Sequence, residues 1–200
     1  YNLTGKDAAT ILSTKELSTY IIEELQVYDS CLVVLNTKSA VAKLCDELEN
    51  TLTDVEVIYL TTNLCAAHRL EIIADMKTKL IQNRKQNTHY RAICVSTQLI
   101  EAGVDVDFDV VFRSVAGIDS LVQCAGRCNR EGNLHINGVK TKGRLYIMHY
   151  CEENLSKLPE IKASVSASEA ALRSLGNEQS DKNKEIMIND LQSPYFNKYY

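Results

Sequence analysis

The chain contains 200 residues, 45% of them hydrophobic and 24% charged, which is enough for one well-buried domain but crowded for two. The formal net charge of −4 argues against a protein that holds nucleic acid by bulk electrostatics, because that mode needs clustered Lys and Arg. No apolar run approaches the roughly 20 residues that cross a bilayer, and no basic segment with an apolar core stands at the N-terminus, so we expect a cytoplasmic protein with no membrane partner.

Helical and strand periods alternate along the first half of the chain. Ser13 and Glu16 form a capping-box pair, which predicts a helix that runs to about Val27. The continuous apolar run over residues 31–35 is typical of a strand buried on both faces. Further periods predict a helix over 39–50, a strand over 55–60, a helix over 66–85 and a strand over 91–96.

The second half of the chain continues the alternation. The predicted elements are a strand over 110–115, a helix over 118–128, a strand over 144–149 and an Ala- and Ser-rich helix over 161–175. Strands that alternate with helices imply βαβ units, so we expect an α/β fold with a mostly parallel central sheet between layers of helices. We expect one domain over residues 1–155 and a helical extension over residues 156–200. Because the sequence starts at Tyr1 without a methionine, we expect a fragment of a larger polypeptide.

Seven cysteines are distributed over the chain, mostly inside apolar runs. Their odd number argues against a disulfide framework. Cys124 and Cys128 are spaced like a metal-binding pair, but no second Cys/His pair with such spacing accompanies them, so we expect no bound metal. The pattern indicates buried, reduced thiols, as expected in a cytoplasm.

Polar residues follow three of the predicted strands: Asn36 and Thr37, then Thr61 and Thr62, then Thr97. In a parallel sheet the carboxyl ends of the strands share one edge, where ligands gather. The sequence therefore predicts that these polar segments occupy the ligand-binding edge of the sheet.

Two strings of residues carry most of the chemical information. The first is T-x-x-x-x-x-G-x-D from Thr97 to Asp105, and the second is Q-x-x-G-R-x-x-R from Gln123 to Arg130. Gly103 lets the backbone pass close to a ligand. Asp105 is then placed to accept a hydrogen bond from a ribose hydroxyl or from a neighbouring arginine.

The second string holds two arginines three residues apart. On a helix, Arg127 and Arg130 project from one face, and we expect both to point from the helix end beyond the carboxyl edge of the sheet. Paired guanidinium groups suit a phosphate with developing charge, and Gly126 keeps the approach open. The alternative is that the arginines form a solvated face and that the glycine is a packing contact.

These strings resemble motifs V and VI of superfamily 2 helicases, and residues 31–39 resemble motif IV. The ending of the second string, Gly126-Arg127-Cys128-Asn129-Arg130, together with the acidic run from Val104 to Asp109, is similar to the type I CRISPR-associated helicase/nuclease family. The resemblance covers roughly residues 14–150 and implies the second RecA-like lobe of such a helicase.

The resemblance implies roles for individual residues. The residues expected to face the triphosphate of ATP are Gln123, Arg127 and Arg130. The residues expected to join the nucleotide site are Gly103, Asp105 and Gly126. The residues expected to touch the phosphates of single-stranded DNA, without reading its bases, are Thr97, Asn36, Thr37, Thr61 and Thr62.

The resemblance also implies cofactors and partners. No G-x-x-x-x-G-K-[ST] loop occurs in the sequence, so we expect ATP and Mg²⁺ to be held mainly by an N-terminal RecA-like lobe, and this fragment alone to be inactive. The implied partners are single-stranded DNA, that lobe and a nuclease domain of the same polypeptide, and a CRISPR RNA-guided surveillance complex.

Alternatives stay open at this point. The chain could be a RecA-like lobe of another superfamily 2 helicase, for repair or RNA remodelling, or a non-catalytic nucleic-acid docking module. Arg84, Lys85 and Arg91 flank a polar loop, which either solubilises the surface or lines a DNA path.

Overall fold

The computed structural model describes the backbone of residues 11–86, 88–101 and 103–177, and the side chains of those residues up to residue 170. Six strands form one sheet in which every neighbouring pair is parallel. From one edge to the other they are β1 (Ile11–Leu12), β8 (Arg144–Tyr150), β5 (Val110–Ser114), β2 (Ser30–Val34), β4 (Ala92–Ser96) and β3 (Glu56–Leu60). A separate antiparallel hairpin consists of β6 (His135–Ile136) and β7 (Val139–Lys140).

Four helices connect the parallel strands, namely α1 (Thr14–Glu24), α2 (Lys38–Thr51), α3 (Ala66–Gln86) and α4 (Ile118–Ala125), with a short 3₁₀ turn at Gln98–Ile100. A fifth helix, α5 (Pro159–Asn177), follows β8. The capping box predicted for α1 is confirmed: the Ser13 side chain accepts from the Glu16 backbone N–H, and the Glu16 carboxylate accepts from the Ser13 N–H. Among the described residues, no helix combines the length and the hydropathy that a membrane span requires.

The hydrophobic core lies on both faces of the sheet. Along β2, Cys31 and Val33 join the cluster that packs under α1 and α2, whereas Leu32 and Val34 join the cluster under α3. This alternation follows from the two-residue period of a strand. Burial on both faces explains why the strand reads as a continuous apolar run, and the predicted three-layer α/β architecture is confirmed.

Two groups of sequence expectations need correction here. The prediction that the cysteines are buried is wrong for Cys65 and Cys151, which are exposed, because they lie in loops next to α3 and β8. It holds for Cys45, where burial raises the pKa of the thiol to about 12, so the group stays protonated. The elements that the sequence analysis missed, namely β1, the 3₁₀ turn, β6 and β7, have only two or three residues each.

The predicted helix near the C-terminus is present as α5. It buries Ala167 and Ser168, and the Glu169 carboxylate lies 3.5 Å from the His149 ring. These contacts join α5 to the end of β8. The division of the chain into residues 1–155 and an extension over residues 156–200 stays a prediction.

Candidate functional site

The carboxyl edge of the sheet brings the predicted polar segments into one row. Strands β2, β4 and β3 are neighbours, so the segments that follow them are neighbours as well. The Leu35 N–H donates to the Ser96 carbonyl at 2.9 Å, and the Ser96 hydroxyl donates to the Leu60 carbonyl at 2.8 Å. These bonds fix Asn36-Thr37, Thr97 and Thr61-Thr62 side by side, and we call these segments the threonine row.

Members of the threonine row differ in what they expose. Thr62 is exposed, and the partly exposed Thr97 begins the 3₁₀ turn without capping it through its hydroxyl. The Thr37 hydroxyl caps α2 by accepting from the Ala40 N–H at 3.3 Å. The hydroxyls of Thr62 and Thr97 therefore carry the surface chemistry of the row.

Two members of the row are turned inward. Thr61 is fully buried, and its hydroxyl donates to the Tyr59 hydroxyl at 2.9 Å. The amide of Asn36 is buried and donates to Glu153 Oε2 at 2.8 Å and to the Val115 carbonyl at 3.0 Å. Because the polar atoms of both side chains are occupied inside the protein, their burial does not favour a direct DNA contact, and that role stays an untested prediction.

An acidic run connects this edge to the start of β5. The Asp105 carboxylate accepts from Lys77 at 2.5 Å and also from Arg130. The hydrogen bond from Lys77, with the charge of Arg130 added, lowers the pKa of Asp105 below its ordinary value. Of the two partners expected for Asp105, the neighbouring arginine is the one present.

Two further aspartates of this run bind Arg84 of α3. Its guanidinium contacts Asp107 and lies 2.9 Å from the buried Asp109. Burial raises the pKa of Asp109, although Arg84 and the Ser30 hydroxyl oppose the increase. Because Arg84 is held between two carboxylates, the structure favours a structural role for it over one in lining a DNA path.

Arg127 and Arg130 both contact the segment between Thr97 and β5. Arg127 donates to the Glu101 carbonyl at 2.7 Å and more weakly to the Ile100 carbonyl at 3.4 Å. Arg130 donates to Asp107 through its backbone N–H at 2.7 Å and leaves 46% of its side chain exposed. The two arginines are thus fastened to the loop that contains Gly103.

The prediction that Arg127 and Arg130 project from one face of a helix is wrong. Helix α4 ends at Ala125, so the two arginines do not leave one helical face. The backbone turns at Asn129, which has a φ of +44°. Phe108 fixes the turn, since its N–H donates to the Arg127 carbonyl at 2.9 Å and its carbonyl accepts from the Asn129 N–H at 2.7 Å.

The arginines also do not lie beyond the carboxyl edge. Helix α4 starts just after β5 and returns alongside it, covering about 12 Å at about 1.5 Å per residue. Its end is therefore close to Phe108, which lies two residues before β5. The 3₁₀ turn and the Gly103 loop, not a shared edge, connect the arginines to the threonine row. Gln123 is exposed on α4, one turn before the arginines.

The glycines near Arg127 and Arg130 differ in whether the fold requires glycine at their positions. Gly103 has a φ of +72°, a conformation that other residues adopt at a cost. A Cβ at Gly126 would meet the Gln123 carbonyl at 3.4 Å and the Val122 carbonyl at 3.6 Å, which are ordinary contacts. A Cβ at Gly143, which precedes β8, would lie 2.5 Å from the Cys128 Sγ. The fold therefore requires glycine at position 143 but not at position 126.

This contrast gives a prediction about stability. Gly143→Ala is expected to lower the free energy of unfolding of the chain by about 1–3 kcal/mol, the usual cost of overpacking. Gly126→Ala, the matched control, is expected to leave it within about 1 kcal/mol, since the added methyl fits and the unfolded chain loses entropy. Urea denaturation followed by circular dichroism measures both values. Equal destabilisation by the two substitutions would contradict the contrast.

Sequence reasoning missed one polar residue of this region. Arg113 on β5 is fully buried, with its Nε 3.0 Å from the Glu101 carboxylate and its Nη1 2.9 Å from the Asn36 Oδ1. A charged residue inside a strand that reads as buried on both faces is the signal that could have found it, because buried arginines need partners. Within the described ranges, no group of three or more His, Cys, Asp or Glu residues could hold a metal ion.

Comparisons with known proteins agree with this architecture. The family model "CRISPR-associated nuclease/helicase Cas3, C-terminal" matches residues 28–133. A curated relative, the CRISPR-associated nuclease/helicase Cas3 of Methanothermobacter thermautotrophicus, is 31% identical over 111 residues, which are 56% of this chain and 12% of that protein. The chain thus spans about an eighth of the relative's length.

Solved structures share the fold. The T. fusca Cas3-AMPPNP structure superposes with a TM-score of 0.70 at 20% identity, over 98% of this chain and 23% of that one. A chain of a CRISPR RNA-guided surveillance complex in a pre-nicking state superposes with a TM-score of 0.63 at 18% identity, over 100% of this chain and 24% of that one. With the parallel sheet, these likenesses show a RecA-like fold. Because the family model covers more than half of its residues, the chain belongs to the family of the CRISPR-associated nuclease/helicase Cas3, as part of the C-terminal region.

Proposed function

We propose that this chain is the second lobe of an ATP-dependent superfamily 2 DNA helicase or translocase that acts in type I CRISPR interference. Membership of the Cas3 family supports the helicase assignment. The observation that carries the proposal is that Arg127 and Arg130 are fastened to the same loop whose first residue, Thr97, lies in the threonine row. One loop then touches both the nucleotide-facing arginines and the DNA-facing edge.

In this proposal Arg127 and Arg130 bind the triphosphate of ATP, with Gln123 alongside. The residues present fit such a ligand: Arg130 is half exposed, and a Cβ at Gly126 or Gly103 would meet open space or ordinary contacts. The ATP and Mg²⁺ are held mainly by the N-terminal lobe of the same polypeptide. Bound ATP supplies the hydrolysable phosphoanhydride bond, and Mg²⁺ neutralises charge on its phosphates.

Both arginines have partners that phosphate oxygens can replace. Arg130 pairs with the exposed carboxylate of Asp105, and Arg127 binds two backbone carbonyls. A guanidinium group binds phosphate with the same paired geometry that it uses for carboxylate. We infer that Arg127 and Arg130 would exchange these partners for phosphate oxygens of the triphosphate, and that the Gly103 loop and Asp105 would then lie beside the nucleotide site.

The threonine row is proposed to hold the backbone of single-stranded DNA. The hydroxyls of Thr62 and Thr97, with backbone N–H groups near Thr37, are suited to phosphate oxygens and carry no base information. Contacts through dipoles suit a chain with a net charge of −4. A CRISPR RNA-guided surveillance complex is the proposed recruiting partner, supported by the fold shared with a chain of such a complex.

A comparison of this chain with the intact polypeptide tests the function. We expect no Mg²⁺-dependent ATP hydrolysis by the chain alone, because its sequence contains no phosphate-cradling loop. We expect the intact protein to hydrolyse ATP faster when single-stranded DNA is added. Turnover by the chain alone would contradict the shared nucleotide site. An intact protein that binds DNA but hydrolyses no ATP would indicate a docking module instead.

A further inference from the structure

We propose that the buried Arg113 is a positioning residue that couples the nucleotide-facing arginines to the DNA-facing threonine row. The inference deepens the proposed function and rests on it. In this inference, bound DNA changes the rate of ATP hydrolysis through contacts in the interior of the lobe. Its basis is a continuous chain of buried polar contacts that runs from Glu101 through Arg113 to Asn36.

Arg113 stands at the centre of this chain of contacts. It projects from β5 with no exposed side-chain surface, and its guanidinium reaches three parts of the fold. Its Nε lies 3.0 Å from Glu101 Oε1, its Nη2 donates to the Ser120 hydroxyl of α4 at 2.8 Å, and its Nη1 donates to Asn36 Oδ1 at 2.9 Å. A planar guanidinium can serve all three partners at once because its donors point in fixed directions.

On the nucleotide side, Glu101 connects this group to Arg127. The Glu101 carboxylate is buried, accepts from the Ser120 hydroxyl at 2.7 Å and forms an ion pair with Arg113. Its backbone carbonyl accepts from Arg127 at 2.7 Å. The position of the Glu101 backbone therefore depends on Arg113, and the resting position of Arg127 depends on that backbone.

On the DNA side, Asn36 connects the same group to the threonine row. Its side chain accepts from Arg113 and donates to Glu153 and to the Val115 carbonyl, and its backbone N–H donates to Glu153 at 2.5 Å. Thr37 follows directly and caps α2. A DNA strand bound along the threonine row therefore contacts a segment whose Asn36 is held by Arg113.

Burial makes this connection stiff. In an interior of low dielectric a hydrogen-bonded charge pair is strong, and an unpaired member is costly, so the partners move together. A buried ion pair is also often no better for stability than well-packed apolar residues of similar volume. Stability alone does not explain the pair, whereas coupling between two sites does.

The test uses the intact polypeptide and separates coupling from folding. The main variant is the double substitution Arg113→Met with Glu101→Leu, which removes both charges and leaves an apolar pair. We expect it to fold and to bind ATP and single-stranded DNA. The factor by which DNA accelerates ATP hydrolysis should be about tenfold smaller than in the wild type, within the usual range of coupling between sites. The maximal stimulated rate should fall, while the KM for ATP and the DNA concentration giving half-maximal stimulation change little.

Two further variants control for structural effects. Tyr146→Phe removes a partly buried hydrogen bond of 2.6 Å to Glu24 on the opposite face of the sheet and should keep full DNA stimulation. Arg113→Lys keeps the charge but cannot span three partners, so it should fold and show reduced stimulation. If the double variant does not fold, Arg113→Lys decides: stimulation at the wild-type level overturns the proposal, and reduced stimulation supports it.

Failure of the coupling and failure of the function are distinguishable in the same assay. If the wild-type protein shows no DNA stimulation, the proposed function fails and the coupling fails with it. If the wild type is stimulated and a folded double variant is stimulated equally, only the coupling through Arg113 is overturned.

Discussion

Replacing Arg127 by alanine in the intact protein is expected to lower DNA-stimulated ATP hydrolysis by about 10³-fold, the lower end of the range for an arginine that stabilises a transferring phosphoryl group. The physical reason is the loss of a guanidinium fork from the developing charge on the phosphates. DNA binding should change little, because Arg127 lies on the Ile100–Glu101 backbone and away from the threonine row. Steady-state hydrolysis and DNA titrations measure the two effects separately.

Two control variants sharpen this prediction. Arg127→Lys keeps a charge without the fork and should recover only part of the activity. Arg91→Ala removes an arginine of similar solvent exposure that is paired with Asp54 at 2.6 Å, and it should retain the wild-type rate. Hydrolysis by Arg127→Ala at the level of Arg91→Ala would rule out the role of Arg127 at the triphosphate.

Removing the Arg113 guanidinium alone is expected to have the largest effect on stability. Arg113→Met should lower the free energy of unfolding of the chain by about 3–5 kcal/mol, because it leaves the buried Glu101 carboxylate without its charged partner. Adding Glu101→Leu should recover most of the loss, since the second buried charge is then removed as well. Urea denaturation of the chain and its three variants, the Glu101→Leu single variant included, gives the coupling energy directly.

The double-mutant cycle of Arg113 and Glu101 has two clearly different outcomes. A double variant much more stable than Arg113→Met is the expected result. Losses that simply add would contradict the ion pair, because residues in contact are expected to be non-additive.

Much of the fold follows from local patterns in the sequence. A continuous apolar run indicated β2, since strands buried on both faces need no polar alternation. The capping box of Ser13 and Glu16 placed the start of α1 correctly. Because parallel strands end at one edge, the row formed by the segments after β2, β4 and β3 was predictable without coordinates.

The exceptions depend on contacts between distant residues. The sequence near the end of α4 favours a longer helix, but pairing with the Phe108 backbone turns the chain at Asn129. The burial of Asn36 is set by Glu153, which lies 117 positions away. No local period contains such information. A polar residue after a strand therefore predicts the edge on which it lies, but not whether its side chain faces solvent.

The candidate site divides in the same way. The ion pair between Asp105 and Arg130 is the arginine contact that the sequence allowed for Asp105, and the joining of Gly103 and Arg127 to it in one nucleotide site stays a prediction. The position of this group on the flank of the sheet, and the buried network of Arg113 beneath it, required the structure.

A structure of the intact protein with a non-hydrolysable ATP analogue and single-stranded DNA tests the central claim most directly. We predict that the Arg127 and Arg130 guanidinium groups lie about 3 Å from phosphate oxygens of the analogue and have left Glu101 and Asp105. Both guanidinium groups still bound to Glu101 and Asp105, with the analogue seated elsewhere, would contradict the assignment of this chain as the lobe that completes the nucleotide site.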